Sequence, residues 1–231
     1  MRNRIPGAGI MPGLAWYPIL RLVAKLITLA TVRTRVTGRR NIPRKGPFFL
    51  VVNHLSILDP VVVMAICPRR LETLTKSTQF AAGWFFPWVL PRAGAIPTRR
   101  YKVDPQVVRT VLRVLERGEG VCLYPEGERS WDGTLQPLRR GTVRLLLKAG
   151  VPVIPCGISG SFEARPRWSR SLHRARVSLR FGEAIHFGVH DTRAERDRAL
   201  DAAAERISSA FLRLSGERAS QAGGSGGATD A

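Results

Sequence analysis

Two short clusters in this chain carry side chains suited to acid–base and anion chemistry. The first, Asn53-His54-Leu55-Ser56-Ile57-Leu58-Asp59-Pro60, sets a histidine and an aspartate five positions apart. A neutral imidazole accepts a proton from a hydroxyl when a carboxylate holds its other nitrogen, and histidine's ordinary pKa suits that work near neutral pH. The same residues have a plainer description: Asp before Pro has the form of a helix N-cap, and His54 is then a loop residue. The second cluster is Tyr124-Pro125-Glu126-Gly127-Glu128-Arg129-Ser130. Gly127 permits close approach of a ligand, Arg129 offers a planar fork of donors to a phosphate, and Glu126 is able to accept from a hydroxyl of the same ligand. The plainer alternative is a solvated turn with an incidental ion pair. Two weaker segments are Gly94-Ala95-Ile96-Pro97-Thr98-Arg99-Arg100, with a basic pair closing an extended run, and Val151-Pro152-Val153-Ile154-Pro155 ahead of a Gly/Ser loop.

These side chains need a scaffold, and the apolar pattern predicts one. Phe48–Val52 reads as a buried strand, with Asp59 and Pro60 as cap and first residue of the following helix. Asp104-Pro105 opens a helix with Val107, Val108, Val111, Leu112 and Leu115 on one face, and Gly118 closes it. Gly120–Tyr124 reads as a strand, and Leu138–Lys148 as a helix ended by Gly150. Val151–Pro155 is a further strand whose prolines favour an edge or a strand end. Thr192-Arg193-Ala194-Glu195 has the form of a capping box for a helix through Leu214. Strands alternating with helices predict an α/β fold, with a largely parallel central sheet flanked by helices. Such sheets assemble their sites at the carboxyl ends of the strands, where both clusters fall.

Leu14–Val32 is apolar but interrupted by Arg21 and Lys25, too broken for a transmembrane helix or a signal peptide. Its face of Trp16, Ile19, Leu20, Val23, Leu26, Ile27 and Ala30 fits a helix at a membrane interface, or one packed on the domain. Phe80–Leu90, with Trp84, Phe85, Phe86 and Trp88, is expected to be partly exposed. Against 17 acidic residues stand 37 Lys and Arg, a formal charge of +20, which implies attraction to nucleic acid, acidic lipid or a phosphorylated substrate. Arg165–Arg180 holds six arginines and one Trp, but no nucleic-acid motif accompanies it. Three cysteines, Cys67, Cys122 and Cys156, are too few for a disulfide framework and imply a reduced, cytosol-facing location.

In order and content the four segments resemble the glycerolipid acyltransferase family, whose bacterial members acylate lysophosphatidate. His54 and Asp59 match its HxxxxD motif, and Glu126, Gly127 and Arg129 match Phe-Pro-Glu-Gly-Thr-Arg-Ser. Gly94 and Arg100 align with Gly-x-x-x-x-Asp-Arg, and Pro155 falls in a Val-Pro-x-x-Pro-like strand. Two positions depart: Arg99 stands for an acidic residue and Glu128 for Thr. The resemblance implies acyl transfer from a thioester, acyl-CoA or acyl carrier protein, to the hydroxyl of a lysophosphatidic acid-like acceptor. His54 is then the general base oriented by Asp59, and Gly94, Arg100, Glu126, Gly127, Arg129 and Pro155 bind substrate. No cofactor or metal is implied, and no nucleic acid is expected. The absence of a G-x-S-x-G elbow, with Cys122 and Cys156 inside apolar strands, agrees with direct attack without an acyl-enzyme. Backbone amides of this or a neighbouring loop are candidates for the oxyanion. The expected organisation is a membrane-interface helix over 1–33, an acyltransferase domain over 34–215 and a flexible Gly/Ser-rich tail over 216–231, on the cytoplasmic face of an anionic membrane. Glycerol 3-phosphate or another lipid head group is the alternative acceptor. A non-catalytic coat for lipid or nucleic acid is the alternative class.

Overall fold

Phe48, Phe49, Leu50, Val51 and Val52 form strand β2 (Phe48–Val52), and every one of them is buried. A strand covered on both faces belongs at the centre of a parallel sheet, and β2 lies there. The computed structural model describes residues 15–99, 104–188 and 193–216. Its seven strands are β1 (Val32–Thr37), β2, β3 (Leu71–Lys76), β4 (Ala95–Thr98), β5 (Gly120–Leu123), β6 (Val153–Ser159) and β7 (Ala175–Phe181), in the order β1-β7-β6-β2-β5-β3-β4. Strands β2 to β6 all run parallel, and only the β6–β7 pairing is antiparallel. Five carboxyl ends therefore meet on one edge of the sheet.

Helices cover both faces. On one side α2 (Asp59–Ile66) lies over Phe48, Leu50 and Val52, with α1 (Trp16–Thr31) packed on α2; on the other, α4 (Pro105–Glu116), α5 (Arg140–Ala149) and α7 (Arg193–Ser215) cover Phe49 and Val51. Asp104 caps α4 by accepting from Gln106 N–H at 2.9 Å, and Gly150 ends α5 in the left-handed conformation at φ 62°. Short α6 (Ser161–Ala164) follows β6, and α3 (Phe85–Arg92) precedes β4. The capping box at Thr192 begins outside the described residues, as does the tail beyond Gly216.

Two expectations are corrected. Of the two placements expected for the proline-bearing strand, the edge is not found, since β6 sits between β2 and β7, and the strand end holds for Pro152 alone. Pro152 precedes the strand, and Pro155 falls just past the last β7 pair, Cys156 with Phe181, where its carbonyl accepts from Gly182 N–H at 2.8 Å. The missing N–H is thus spent where that ladder has ended. Asp59 is not an N-cap either. It is the first residue of α2, and its carboxylate turns back into the preceding loop.

Helix α1 packs through Tyr17, Ala24 and Thr28, largely against α2, with the Tyr17 hydroxyl accepting from Leu71 N–H at 3.1 Å. Its apolar face, including Ile19, Val23, Leu26, Ile27 and Leu29, is exposed, Leu29 by 75 %. Trp16 meets Trp88 of α3 edge-on with ring centroids 5.4 Å apart, and Trp84, Phe85 and Phe86 continue the exposed apolar surface. Among the described residues no helix is long and apolar enough to cross a membrane.

Candidate active site

The turn after β2 is fixed before His54 is reached. Asn53 extends the β2–β6 ladder with its side chain, donating Nδ2–H to Ile158 O at 2.9 Å and accepting from Ile158 N–H at 2.7 Å. His54 follows at the carboxyl edge of the sheet. Its Nδ1 lies 2.8 Å from Asp59 Oδ2, which also accepts from the N–H groups of Leu55 and Ser56 at 2.7 Å each. Asp59 is fully buried, so the loop closes around its charge. With Nδ1–H held by the carboxylate, Nε2 carries the lone pair. The imidazole stacks on Tyr124 at 4.1 Å between centroids and 29° between planes, which fixes its second degree of freedom.

The second cluster leaves the neighbouring strand β5 and grips the first through the backbone. Glu126, 1 % exposed, accepts from His54 N–H at 2.7 Å with Oε1 and from Gln136 N–H at 2.9 Å with Oε2. His54 O in turn accepts from Ser130 N–H at 2.7 Å. Gly127 needs its φ of 77°, and a Cβ there would come within 3.0 Å of Arg139 Nε. Glu128, the departure from Thr, accepts from Arg139 at 3.1 Å and from Arg167 at 3.0 Å. Arg167 also donates to Arg129 O and lies over the Trp131 ring at 3.7 Å. The turn around Arg129 is thereby clamped from both sides.

His54 and Arg129 open on a shared cavity of about 620 Å³. Ile57, Val61, Leu74, Phe86, Leu90 and Val107 form its apolar walls, while Lys76, Arg99, Arg129, Arg139 and Arg140 make it basic. An apolar slot beside a cationic rim suits a molecule with an acyl chain and an anionic head. Residues 33–159, more than half of the chain, match the family described as Acyltransferase.

The chain belongs to the acyltransferase family.

Relatives and a solved neighbour agree with that assignment. A 1-acyl-sn-glycerol-3-phosphate acyltransferase of Brassica napus is 26% identical over 77% of this chain and 51% of its own length. One from Bacillus subtilis is 24% identical over 66% of this chain and 73% of its own. The alpha enzyme of Bos taurus is 30% identical over 70% and 58%. This chain spans about half the length of the Brassica relative. In fold it matches the crystal structure of the 1-acyl-sn-glycerophosphate acyltransferase PlsC from Thermotoga maritima, with a TM-score of 0.72 at 19% identity, over 88% of this chain and 81% of that one.

Within this family frame the expected site residues separate. His54, Gly127 and Arg129 line the cavity. Asp59 and Glu126 are buried behind it, Glu126 with both oxygens on backbone amides instead of facing a ligand hydroxyl. Gly94 and Pro155 are not brought in. Gly94 sits at the opposite end of β4, pressed to 3.0 Å from Leu71 O if given a Cβ, and shapes the turn into that strand. Pro155 lies inside the sheet opposite Val51, below the edge. Arg100 lies outside the described residues. The amides of His54, Leu55 and Ser56, candidates for an oxyanion, are already bound by Glu126 and Asp59. All three cysteines are buried and free, and burial pushes each thiol above its ordinary pKa. Lys76, Tyr124, Arg139 and Arg140 were not among the expected site residues. Tyr124 and Arg139 had a signal in their nearness to the second cluster; Lys76 ends the strand LETLTK, whose two faces each mix a leucine with polar residues and so gave none.

Proposed function

We propose that this protein transfers a fatty acyl group from a thioester to the hydroxyl of a lysophosphatidic acid-like acceptor at a membrane surface. The observation that carries the reading is the His54–Asp59 contact of 2.8 Å beside a cavity that also holds Arg129. The relatives' names support the acceptor, each being a 1-acyl-sn-glycerol-3-phosphate acyltransferase. In the reaction His54 Nε2 removes the acceptor hydroxyl proton as its oxygen attacks the thioester carbon. Asp59 holds the tautomer and steadies the imidazolium. The C–S bond then breaks, and the sulfur leaves with the proton from His54. Arg129 binds the acceptor phosphate. No covalent enzyme intermediate is required, in keeping with the buried cysteines.

The exposed apolar faces of α1 and α3 support attachment to the cytoplasmic face of an anionic membrane, with α1 at the interface and the domain that follows it as the catalytic part. Thiol release from acyl-CoA and from acyl carrier protein, measured with lysophosphatidate, glycerol 3-phosphate and no acceptor, tests the reading. It requires release that depends on lysophosphatidate. Release with glycerol 3-phosphate alone moves the acceptor, and no release with any pair overturns acyl transfer.

A further inference from the structure

The cavity carries a second pair of cations that the acyl acceptor does not account for. Lys76 ends β3 and pairs in register with Thr98, the end of β4; Arg99 follows directly. The two stand side by side on the carboxyl edge of the sheet, exposed and lining the cavity. Arg139 is paired with Glu128 and Arg140 with Asp201, whereas Lys76 and Arg99 have no ion-pair partner among the described residues. Asp104, the single carboxylate among the described lining residues, is engaged in capping α4. Two neighbouring cations with no ion-pair partner among the described residues, in a cavity lining where cations outnumber the one carboxylate, suit an anion.

Reach decides which anion fits. In the order β2-β5-β3-β4, Lys76 and Arg99 stand two and three strands from His54, roughly 10 and 15 Å away at about 4.8 Å per strand. In lysophosphatidate two carbons and one oxygen separate the reacting oxygen from phosphorus, about 5 Å when extended. A phosphate whose hydroxyl is at His54 therefore ends near the β5 turn and Arg129. The thioester donor reaches further. Acyl-CoA and acyl carrier protein both present the thioester on a pantetheine arm, whose far end carries a phosphate. That arm is about as long as four to five extended residues, roughly 15 Å.

We propose that Lys76 and Arg99 bind the phosphate at the end of the donor's pantetheine arm, and so place the thioester carbon at His54. This rests on the acyltransferase reading above. It also gives Arg99, a cation where the family motif has an acid, a ligand of its own. The arginine adds attraction for the donor and leaves acceptor recognition to Arg129.

The test is steady-state thiol release by the full chain with saturating lysophosphatidate and three donors bearing the same acyl group: acyl-CoA, acyl carrier protein, and acyl-pantetheine, which lacks the phosphate. Lys76→Gln and Arg99→Gln should each raise the donor KM about fivefold for the phosphate-bearing donors, the worth of one unit charge near 4 Å in water. Kinetics with acyl-pantetheine and the acceptor KM should stay at wild-type values. A rise for acyl-CoA alone identifies coenzyme A as the source of the phosphate, and a rise for the carrier protein alone identifies the carrier; either upholds the subsite. Unchanged KM for both donors overturns it. So does an equal loss with acyl-pantetheine, as a defect in folding or membrane contact would give, or a rise confined to the acceptor KM. A wild-type protein that releases no thiol from any donor defeats the acyltransferase reading and this subsite together; an active wild type with insensitive variants defeats the subsite alone.

Discussion

Asp59 Oδ2 accepts from three donors, and only one of them, His54 Nδ1, belongs to the proposed reaction. Replacing Asp59 by Asn keeps an oxygen for the amides of Leu55 and Ser56 but removes the charge that steadies an imidazolium. Asp59→Asn should therefore lower kcat by roughly 10³–10⁴-fold, the scale known for a carboxylate that orients a catalytic histidine. A residue serving the fold alone would tolerate Asn with little change in rate, so kcat beside a melting curve separates the two roles. Arg129→Ala should cost more activity toward lysophosphatidate than toward its dephosphorylated counterpart, and Arg129→Lys should recover only part, since a point charge lacks the planar fork. Equal losses on both acceptors would move Arg129 from substrate binding to structure. The thiols yield a third expectation: iodoacetamide applied to the native protein near pH 8 should leave all three cysteines unmodified by mass and the activity intact, because burial keeps each thiol protonated. At this scale residue type was legible and partner was not. Glu126 reads in sequence as an acceptor of hydrogen bonds, and it is one; but its donors, His54 N–H and Gln136 N–H, come from 72 and 10 positions away and are set by the fold.

The turns after β2 and β5 behave as one unit, because Glu126 and Ser130 hold the N–H and C=O of His54. Glu126→Ala leaves two part-buried N–H groups without their charged acceptor. At about 1.5 to 3 kcal/mol for each hydrogen bond to a charged group, it should lower stability by roughly 3 kcal/mol, read from denaturant unfolding. It should also slow catalysis, by loosening the histidine. A variant as stable as wild type would show that the turns are not coupled. Why some elements were legible follows from their patterns. Phe48–Val52 and Gly120–Leu123 are continuous apolar runs, and the helix after Asp104 carries its cap and apolar stripe in sequence. Strands β1 and β7, VRTRVT and ARVSLRF, alternate apolar residues with arginines, and read as charge runs until their pairing on each other is known. Arg180 of β7 donates to Leu214 O, and Arg165 O accepts from Ser56 Oγ, so part of the arginine stretch is built into the domain. The two prolines near β6 signal an edge or a strand end; Pro152 meets the second, while Pro155 lies within an interior strand.

Across the whole molecule, the formal charge of +20 and the exposed apolar faces of α1 and α3 would contribute differently to the proposed membrane binding. Coulomb attraction fades beyond a Debye length of about 10 Å at 0.1 M salt, whereas apolar burial is insensitive to salt. Sedimentation with acidic vesicles should thus weaken with salt without vanishing. Replacing Val23, Leu26 and Ile27, all exposed, by Ser should leave the fold intact and remove most of the salt-resistant part, at roughly 1.5 kcal/mol for each side chain withdrawn from the bilayer. Binding of this variant to neutral vesicles at the wild-type level would make the aromatic surface from Trp84 to Trp88 the anchor. The central claim is that His54, oriented by Asp59, deprotonates an acceptor hydroxyl that attacks a thioester directly. It is tested most directly by mass spectrometry of the lipid products from acyl-CoA or acyl carrier protein and lysophosphatidate, with wild type and His54→Ala compared at matched folding. The wild type should form the diacylated phosphate lipid, and the variant should form it about 10²–10⁴-fold more slowly, the share a positioned general base supplies. A folded His54→Ala protein that makes product at the wild-type rate would contradict the account.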